Sequence, residues 1–572
     1  MGPGYRKVEI LKEFGSYPQD YQFVADVNSR TEDWKSLPWK SIQRNVFHLQ
    51  KCIYQAAHRN DIERVHNLQR LLLRSWSARC LAVRRVTQDN RGKCTPGVDG
   101  VASLTPCQRM QMVNDLRNLA THTPAPLRRV YIPKPGKTER RGLSIPTMLD
   151  RALQALVKLA LEPEWEARFE PNSYGFRPGR SPHDAIESVF NFIRLKPKYV
   201  LDADITKCFD RISHDVILDR LHSIRPIERL VRGWLKAGIL DHGECIFPEA
   251  GTAQGGPLSP LLANVALHGL ETIIRQAAPA KSPPGVIRFA DDVVILHHDI
   301  ETLKRLAKVA EEWLASIDVE LNPKKTTITH TLKQHSRQIG FDFLGFHVRQ
   351  YPVGKHRTRT YRGRPGYKTI IKPSRKALQR HRNKLRDIIQ QHRGAPQSGL
   401  IYALNPVIQG WANYFQHCAA KHDFQILDNV LYQQLTRWAR YRDPRKNGKW
   451  CYHRYWRQVS GRVRFSNNES VLSFHQTTMV SRFVKVQGNK SPYDGDWIYW
   501  STRLEHDPSK PRRVTRLLKR QQACCALCGL RFMTEDVLEV HHHDRNHNNN
   551  ALDNLRLMHG HCHDLVHGSR CL

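Results

Sequence analysis

The chain has 572 residues, 40% of them hydrophobic and 9% aromatic, which is too long for one hydrophobic core and too apolar for a disordered polymer. Its 90 Lys and Arg against 53 Asp and Glu leave a net charge of +37. Such a charge repels itself unless a polyanion neutralises it, so nucleic acid is the leading partner and an anionic membrane surface the runner-up. No apolar run is long enough to cross a bilayer, and the opening MGPGYRKVEI lacks the apolar core of a signal peptide. Thirteen cysteines, mostly single, argue for a reducing compartment without a disulfide framework.

In chain order, the region to about residue 120 is basic and helical, with Ile42, Val46, Leu49 and Ile53 at helical spacing. TPGVDG (95–100) is a turn-rich break. From about 127 to 350, short β-branched strands alternate with helices, the pattern of a mixed α/β domain. One helix there carries Leu303, Leu306, Ala310, Trp313 and Ile317 on a single apolar stripe. Residues 343–386 hold fourteen Lys or Arg and no acid, and include a helix expected to start at Ser374 with Leu378, Leu385 and Ile389 on one face. Between 405 and 456 Trp, Tyr and Arg are interleaved; such aromatics serve either as core or as base-stacking surfaces. A basic linker, KPRRVTRLLKR, leads to a Cys/His-rich module.

Two stretches place acids where an apolar strand expects hydrophobes. VIRFADDVVILHH (286–298) carries Asp291 and Asp292, with no Lys or Arg in the five residues that follow; YVLDADITKCFD (199–210) carries Asp204. Adjacent strand residues face opposite ways, so Asp291 and Asp292 share a site only at a hairpin turn. Three carboxylates on neighbouring strands are the hard oxygen ligands that two-metal phosphoryl transfer requires, and would be costly to bury without a cation.

With these residues the chain resembles the reverse transcriptases of bacterial and organellar group II introns. LRRVYIPKPGKTERRGLSIP (127–146) is similar to the fingers motif, placing Lys134 and Arg141 at the nucleotide triphosphate. NSYGFRPGRSPHDA (172–185) follows. Asp204 is then the first metal ligand, and Phe209 the residue that excludes a 2′-hydroxyl. GTAQGGPLSPLLAN (251–264) sets Gln254 beside nucleotide and primer, FADD supplies Phe289, Asp291 and Asp292, and LNPKKTTI (321–328) supplies Lys325. FDFLGF (341–346) closes the palm, and LNPVIQGWANYF (404–415) resembles the maturase region that grips intron RNA. The chain departs from the family in Ala253, Gly142, Ser144 and Phe289; none removes a carboxylate or a phosphate-binding charge. The resemblance implies Mg²⁺ held by Asp204 and Asp291, with dNTPs as substrates.

The final module pairs Cys525-x₂-Cys528 with His559-x₂-Cys562, the spacing of a structural Zn²⁺ site. Between the pairs it resembles the HNH, or ββα-metal, endonuclease carried by many of these intron proteins. That resemblance implies His542 as general base, His541 and His563 as Mg²⁺ ligands, and Asn554 fixing the base loop, with NNN (548–550) where a glycine pair is usual.

The expected fold is multidomain α/β and α, a right-hand polymerase with fingers and a palm of mixed sheet. Its parts are an N-terminal helical extension (1–120), fingers and palm (121–350), a helical thumb or maturase domain (351–460), a DNA-binding region with linker (461–520), and a zinc-containing ββα-metal HNH domain (521–572). The expected function combines maturase, second-strand nicking and target-primed reverse transcription. Its partners would be intron RNA and double-stranded target DNA, without a membrane, in a bacterial cytoplasm or an organelle. The alternatives are a retron-like, diversity-generating or CRISPR-associated reverse transcriptase, and a splicing-only RNA-binding maturase.

Overall fold

The computed structural model describes residues 33–567 except 120, 134–138, 336–337, 353–365, 468, 508–509, 535 and 548. The stripe at Ile42, Val46 and Ile53 is buried along α1 (Trp39–His58). Next come α2 (Ile62–Arg74), capped by the Asp61 carboxylate accepting from Arg64 N–H, and α3 (Trp76–Arg84). These helices share one apolar core with the domain that follows.

That domain runs β1 (Leu127–Pro133), β2 (Arg140–Ile145), α4 (Met148–Arg168), α5 (Pro182–Ile193), β3 (Tyr199–Asp204), β4 (Ile239–Asp241), β5 (Glu244–Ile246), β6 (Gly285–Phe289), β7 (Asp292–His297), α6 (Ile300–Ala315) and β8 (Thr327–His330). One sheet has the order β2-β1-β4-β5, with β1 and β4 parallel. The other, β6-β7-β3-β8, is antiparallel throughout. Side chains alternate across it. Leu201, Ala203, Val293 and Ile295 pack with Leu303, Leu306 and Leu314 of α6 on one face. Val200, Val294, Leu296 and Ile287 pack with Phe341, Phe343 and Phe346 on the other. Those phenylalanines come from β9 (Phe341–Phe343) and β10 (Phe346–Pro352), which with β11 (Tyr367–Pro373) form a three-stranded sheet.

The Ser374 hydroxyl accepts from Ala377 N–H and caps α7 (Arg375–Gln391), which buries His381, Leu385 and Ile389. Then come α8 (Gln397–Phe415), α9 (Lys421–Arg442), α10 (Gly448–Tyr455) and the hairpin β12 (Trp456–Val459)–β13 (Arg462–Phe465). Their core joins Leu385, Leu404, Leu431 and Trp438. The interleaved aromatics divide: Trp438, Tyr455 and Trp456 are core, whereas Tyr432, Tyr441, Trp450 and Tyr452 stay exposed.

After α11 (Trp497–Glu505), most of the run expected as a basic linker is a helix, α12 (Arg512–Arg520). Val514, Leu517 and Leu518 recur at helical spacing between its basic residues and enter the core of the C-terminal module. That module pairs β14 (Leu538–His542) antiparallel with β15 (Leu555–His559) and ends in α13 (Gly560–His567), a ββα order. No helix among the described residues is long and apolar enough to cross a membrane.

Candidate active sites in the palm and the C-terminal module

On the β9–β10 face of the palm sheet, apolar residues give way to acids at one end. Along β3 that face reads Val200, Asp202, Asp204, and along β7 Leu296, Val294, Asp292. Asp204 and Asp292 are register partners. Asp291 sits on the turn before β7, where Ala290 takes a left-handed φ of 56° and the Asp291 carbonyl accepts from Ile205 N–H at 3.0 Å. The hairpin turn required of FADD is therefore present.

Burial, then the charges of Asp291 and Asp204, pushes Asp292 up to about 7. Burial also raises Asp291, against the attraction of Arg141 and Lys325. Sequence reasoning missed a fourth carboxylate, Asp202, pushed up to about 7 by burial and then by Asp292, Asp342 and Asp204. Its signal was legible: an acid two residues before Asp204 on the same strand face. Partly desolvated carboxylates that resist ionisation together are a donor set that a divalent cation satisfies. Lys325 Nζ lies 2.7 Å from Asp204 Oδ2.

The hairpin is held from behind. Arg288, a cation in β6 itself, faces away from the acids: it donates to Asn264 Oδ1 at 2.9 Å and Ser173 Oγ at 2.8 Å. Asn264 donates to the Gly175 carbonyl, and Tyr174 N–H to the Arg288 carbonyl. A Cβ on Gly175 would lie 2.3 Å from Ala290 N, so only glycine lets this segment close on the turn. Arg288, Asn264 and Gly175 are positioning residues: each lies within one of the stretches that carry the resemblance, and the fold shows what it holds.

Phe209 is half-buried and meets Phe176 edge-to-face at 5.8 Å. Its carbonyl accepts from Thr252 N–H, and Gly251 (φ +87°) passes so close that a Cβ would lie 2.6 Å from that carbonyl oxygen. Gln254 donates to Asp210 Oδ1 at 3.3 Å, and its carbonyl accepts from Ser144 N–H at 2.7 Å, tying the Gln-Gly-Gly loop to β2. Arg129 donates to the Ser144 hydroxyl, a bond that a glycine there would lose. Arg141 is exposed, Phe289 half-buried, and Lys134 lies outside the described residues.

In the C-terminal module, ligand atoms of Cys525, Cys528, His559 and Cys562 all lie within 4.8 Å of one another. Hydrogen bonds from Cys528 and Cys562 hold the Cys525 thiol well below its ordinary range. Behind His559 stands Asp536, 3.3 Å from Nε2, the carboxylate–histidine arrangement that orients a metal-bound imidazole. Thiolate sulfur and a carboxylate-backed imidazole fit zinc.

A second group joins His541, His563 and His567, again within 4.8 Å. His567 was missed, although its four-residue spacing from His563 puts both on one face of α13. Among the described residues these two groups are the compact ones; the palm carboxylates are more widely set. His542 follows His541 at the end of β14, buried, with neither ring nitrogen hydrogen-bonded and the His547 ring 5.0 Å away. Asn554 bridges the β14–β15 loop, donating to Asp544 Oδ1 and the Asn549 carbonyl and accepting from Asp544 N–H.

Comparison with known proteins agrees with this layout. Residues 132–348 match the model of reverse transcriptase (RNA-dependent DNA polymerase), 34–116 its N-terminal domain, and 378–456 the group II intron maturase-specific domain. The chain is 30% identical to Protein YkfC of Escherichia coli K12 over 49% of its own length and 82% of that protein. It is 32% identical to the group II intron-encoded protein LtrA of Lactococcus lactis over 41% of its length, which spans 40% of LtrA. Against maturase-like protein 1 of Euglena gracilis it is 26% identical over 67% of its length and 78% of that protein. A palm hairpin bearing paired aspartates, preceded by a matching N-terminal domain and followed by a matching maturase domain, makes this chain a member of the group II intron reverse transcriptase and maturase family.

Proposed function

We propose that the protein binds a group II intron RNA, assists its splicing, nicks one strand of target DNA through its C-terminal module, and copies the intron from the nick. The observation that carries the polymerase reading is the register pairing of Asp204 with Asp292, with Asp291 on the adjoining turn. Asp204 and Asp291 would hold the divalent cations that supply two-metal phosphoryl-transfer chemistry when bound. Arg141 and Lys134 would meet the triphosphate, while Lys325, ion-paired to Asp204, stands ready to neutralise negative charge. Phe209, its carbonyl pinned by Thr252, would bar a 2′-hydroxyl, and Phe289 and Gln254 would border primer and nucleotide.

The ββα order and the His541–His563–His567 group support an HNH reading of the C-terminus, with zinc at Cys525, Cys528, His559 and Cys562. There His542, as neutral imidazole, would take the proton of the attacking water, and Asn554 would hold the loop beside it. Asp291→Ala should abolish primer extension on a supplied template while splicing assistance survives. Loss of both would show that two sites have been merged wrongly. His542→Ala should stop nicking and leave primer extension intact; continued nicking would remove His542 from the role.

A further inference from the structure

The maturase helices and the β12–β13 hairpin border an open groove of about 430 Å³ that the polymerase and nuclease chemistry does not use. One wall is α9, where Gln425, Asp428, Asn429 and Tyr432 recur at helical spacing. A second is Tyr452 and Trp456, one turn apart, with rings near-parallel at 12° and centroids 5.9 Å apart. Phe474, with the Arg464 guanidinium 4.6 Å above its ring, closes the third. Trp456 is only 7% exposed and serves as floor, but Tyr432 and Tyr452 present 44% and 36% of their surface. Aromatics in a core would not be left so open.

The polar lining is equally specific. Asp428 Oδ1 accepts from the backbone and ring N–H groups of His475, and Oδ2 accepts from Gln476 N–H. Those three bonds leave acceptor capacity on the carboxylate, beside the Gln425 and Asn429 amides. The surroundings are strongly basic: residues 444–468 contain seven Lys or Arg and no acid, and Arg457 and Arg464 face each other across β12–β13. Cationic rim, aromatic walls and hydrogen-bonding groups at the base together match a nucleotide: phosphate outside, base inside.

We infer that this groove receives one unstacked base of the RNA, stacked against Tyr452 and Tyr432 with its polar edge toward Asn429 and Asp428. The inference rests on the intron-RNA reading and adds to it a base-specific grip, separable from charge attraction along the backbone.

The test uses the full-length protein and a short oligouridine RNA carrying one central 2-aminopurine, whose fluorescence is quenched by stacking on an aromatic ring. Anisotropy of the same RNA, end-labelled, reports binding separately. Wild type should bind and quench. Tyr452→Ala and Tyr432→Ala should each lose most of the quench and weaken binding by roughly 5- to 100-fold, the range seen when one base loses its stacking partner. Tyr452→Phe, which keeps the ring, should behave as wild type, and primer extension on a supplied primer should be unchanged in all three. Undiminished quench in both alanine variants, with RNA still bound, would overturn the pocket and leave RNA binding standing. A Tyr452-dependent quench seen only with the deoxyribose version would overturn RNA as the occupant. No binding of the RNA by wild type would overturn the RNA reading and the pocket with it.

Discussion

Acidification of the maturase core offers a prediction whose size follows from three side chains. His381 of α7 is 5% exposed, stacked at 4.7 Å on Trp411, with Nε2 2.8 Å from Nε2 of His475. His475 Nδ1 lies 2.7 Å from Asp428 Oδ1 and donates to it, which turns its Nε2 toward His381. Burial first, then His475 and Lys384, lowers His381 from 6.5 to about 3. The unfolded chain takes up this proton near 6.5 and the folded chain does not until about 3, so stability is present above 6.5 and drains away as the pH falls through that window. Between about pH 7.5 and pH 5 the loss is about 2 kcal/mol, from roughly 1.4 kcal/mol for each unit below 6.5. It depends little on how far below 5 the folded value lies. His381→Gln retains an amide that can donate to His475 but cannot titrate. Urea unfolding followed by tryptophan fluorescence at both pH values should therefore show a stability difference smaller by about 2 kcal/mol in the variant. Equal pH dependence in the two proteins would refute a neutral, buried His381.

Three further outcomes follow from the geometry. Gly175→Ala drives a methyl group against Ala290 N and should cost about 1–3 kcal/mol while nearly abolishing primer extension and sparing RNA affinity, measured by thermal melting, extension and filter binding. Cys528→Ser should abolish zinc uptake by the C-terminal module, measured by metal analysis, and open the chain beyond residue 520 to protease, with primer extension retained. His567→Ala should impair nicking as severely as His563→Ala, and both should weaken Mn²⁺ binding; a silent His567→Ala would leave the group with two ligands.

The acids of the palm were legible because each violates its own neighbourhood: a carboxylate within a β-branched run needs a chemical reason. Asp202 breaks the same rule, and its place is legible only along the strand face it shares with Asp204, not in the motif around Asp204. His567 is the same case on a helix, where spacing from His563 carries the information. Other residues lie inside recognised motifs, but nothing local names their partners. Arg288 finds its partners in Ser173 and Asn264, residues distant in the chain, and only the folded hairpin brings them together. The basic run before the C-terminal module misled for a different reason: charge dominates its composition, while three apolar residues at helical spacing decide its structure. The aromatic-rich maturase segment mixed buried and exposed rings at similar spacing, and burial alone separates them.

The Cys525–Cys528–His559–Cys562 group and the attachment of its module to the rest of the protein are one piece of chain. Between His559 and Cys562 of that group lies His561, which is buried with its Nε2 3.3 Å from Cys562 Sγ. Its ring also lies 3.4 Å from a nitrogen of Arg84, at the end of α3, and 3.7 Å from Asp89 on the segment that follows. Arg84 pairs with Asp89 at 3.2 Å and covers the Trp39 ring at 4.7 Å. Burial opposes the charge on Asp89, but Arg84 and His561 outweigh it and hold the carboxyl down to about 2. A buried pair of this kind contributes little net stability against an apolar replacement, yet leaving one charge unpaired costs about 3–5 kcal/mol. Such a contact selects one docked orientation far more than it strengthens docking. Since His559 and Cys562 flank His561, closure of their group sets the position from which His561 meets Arg84 and Asp89. The C-terminal module is thereby held against the N-terminal helices through His561, a residue flanked by two members of its Cys/His group.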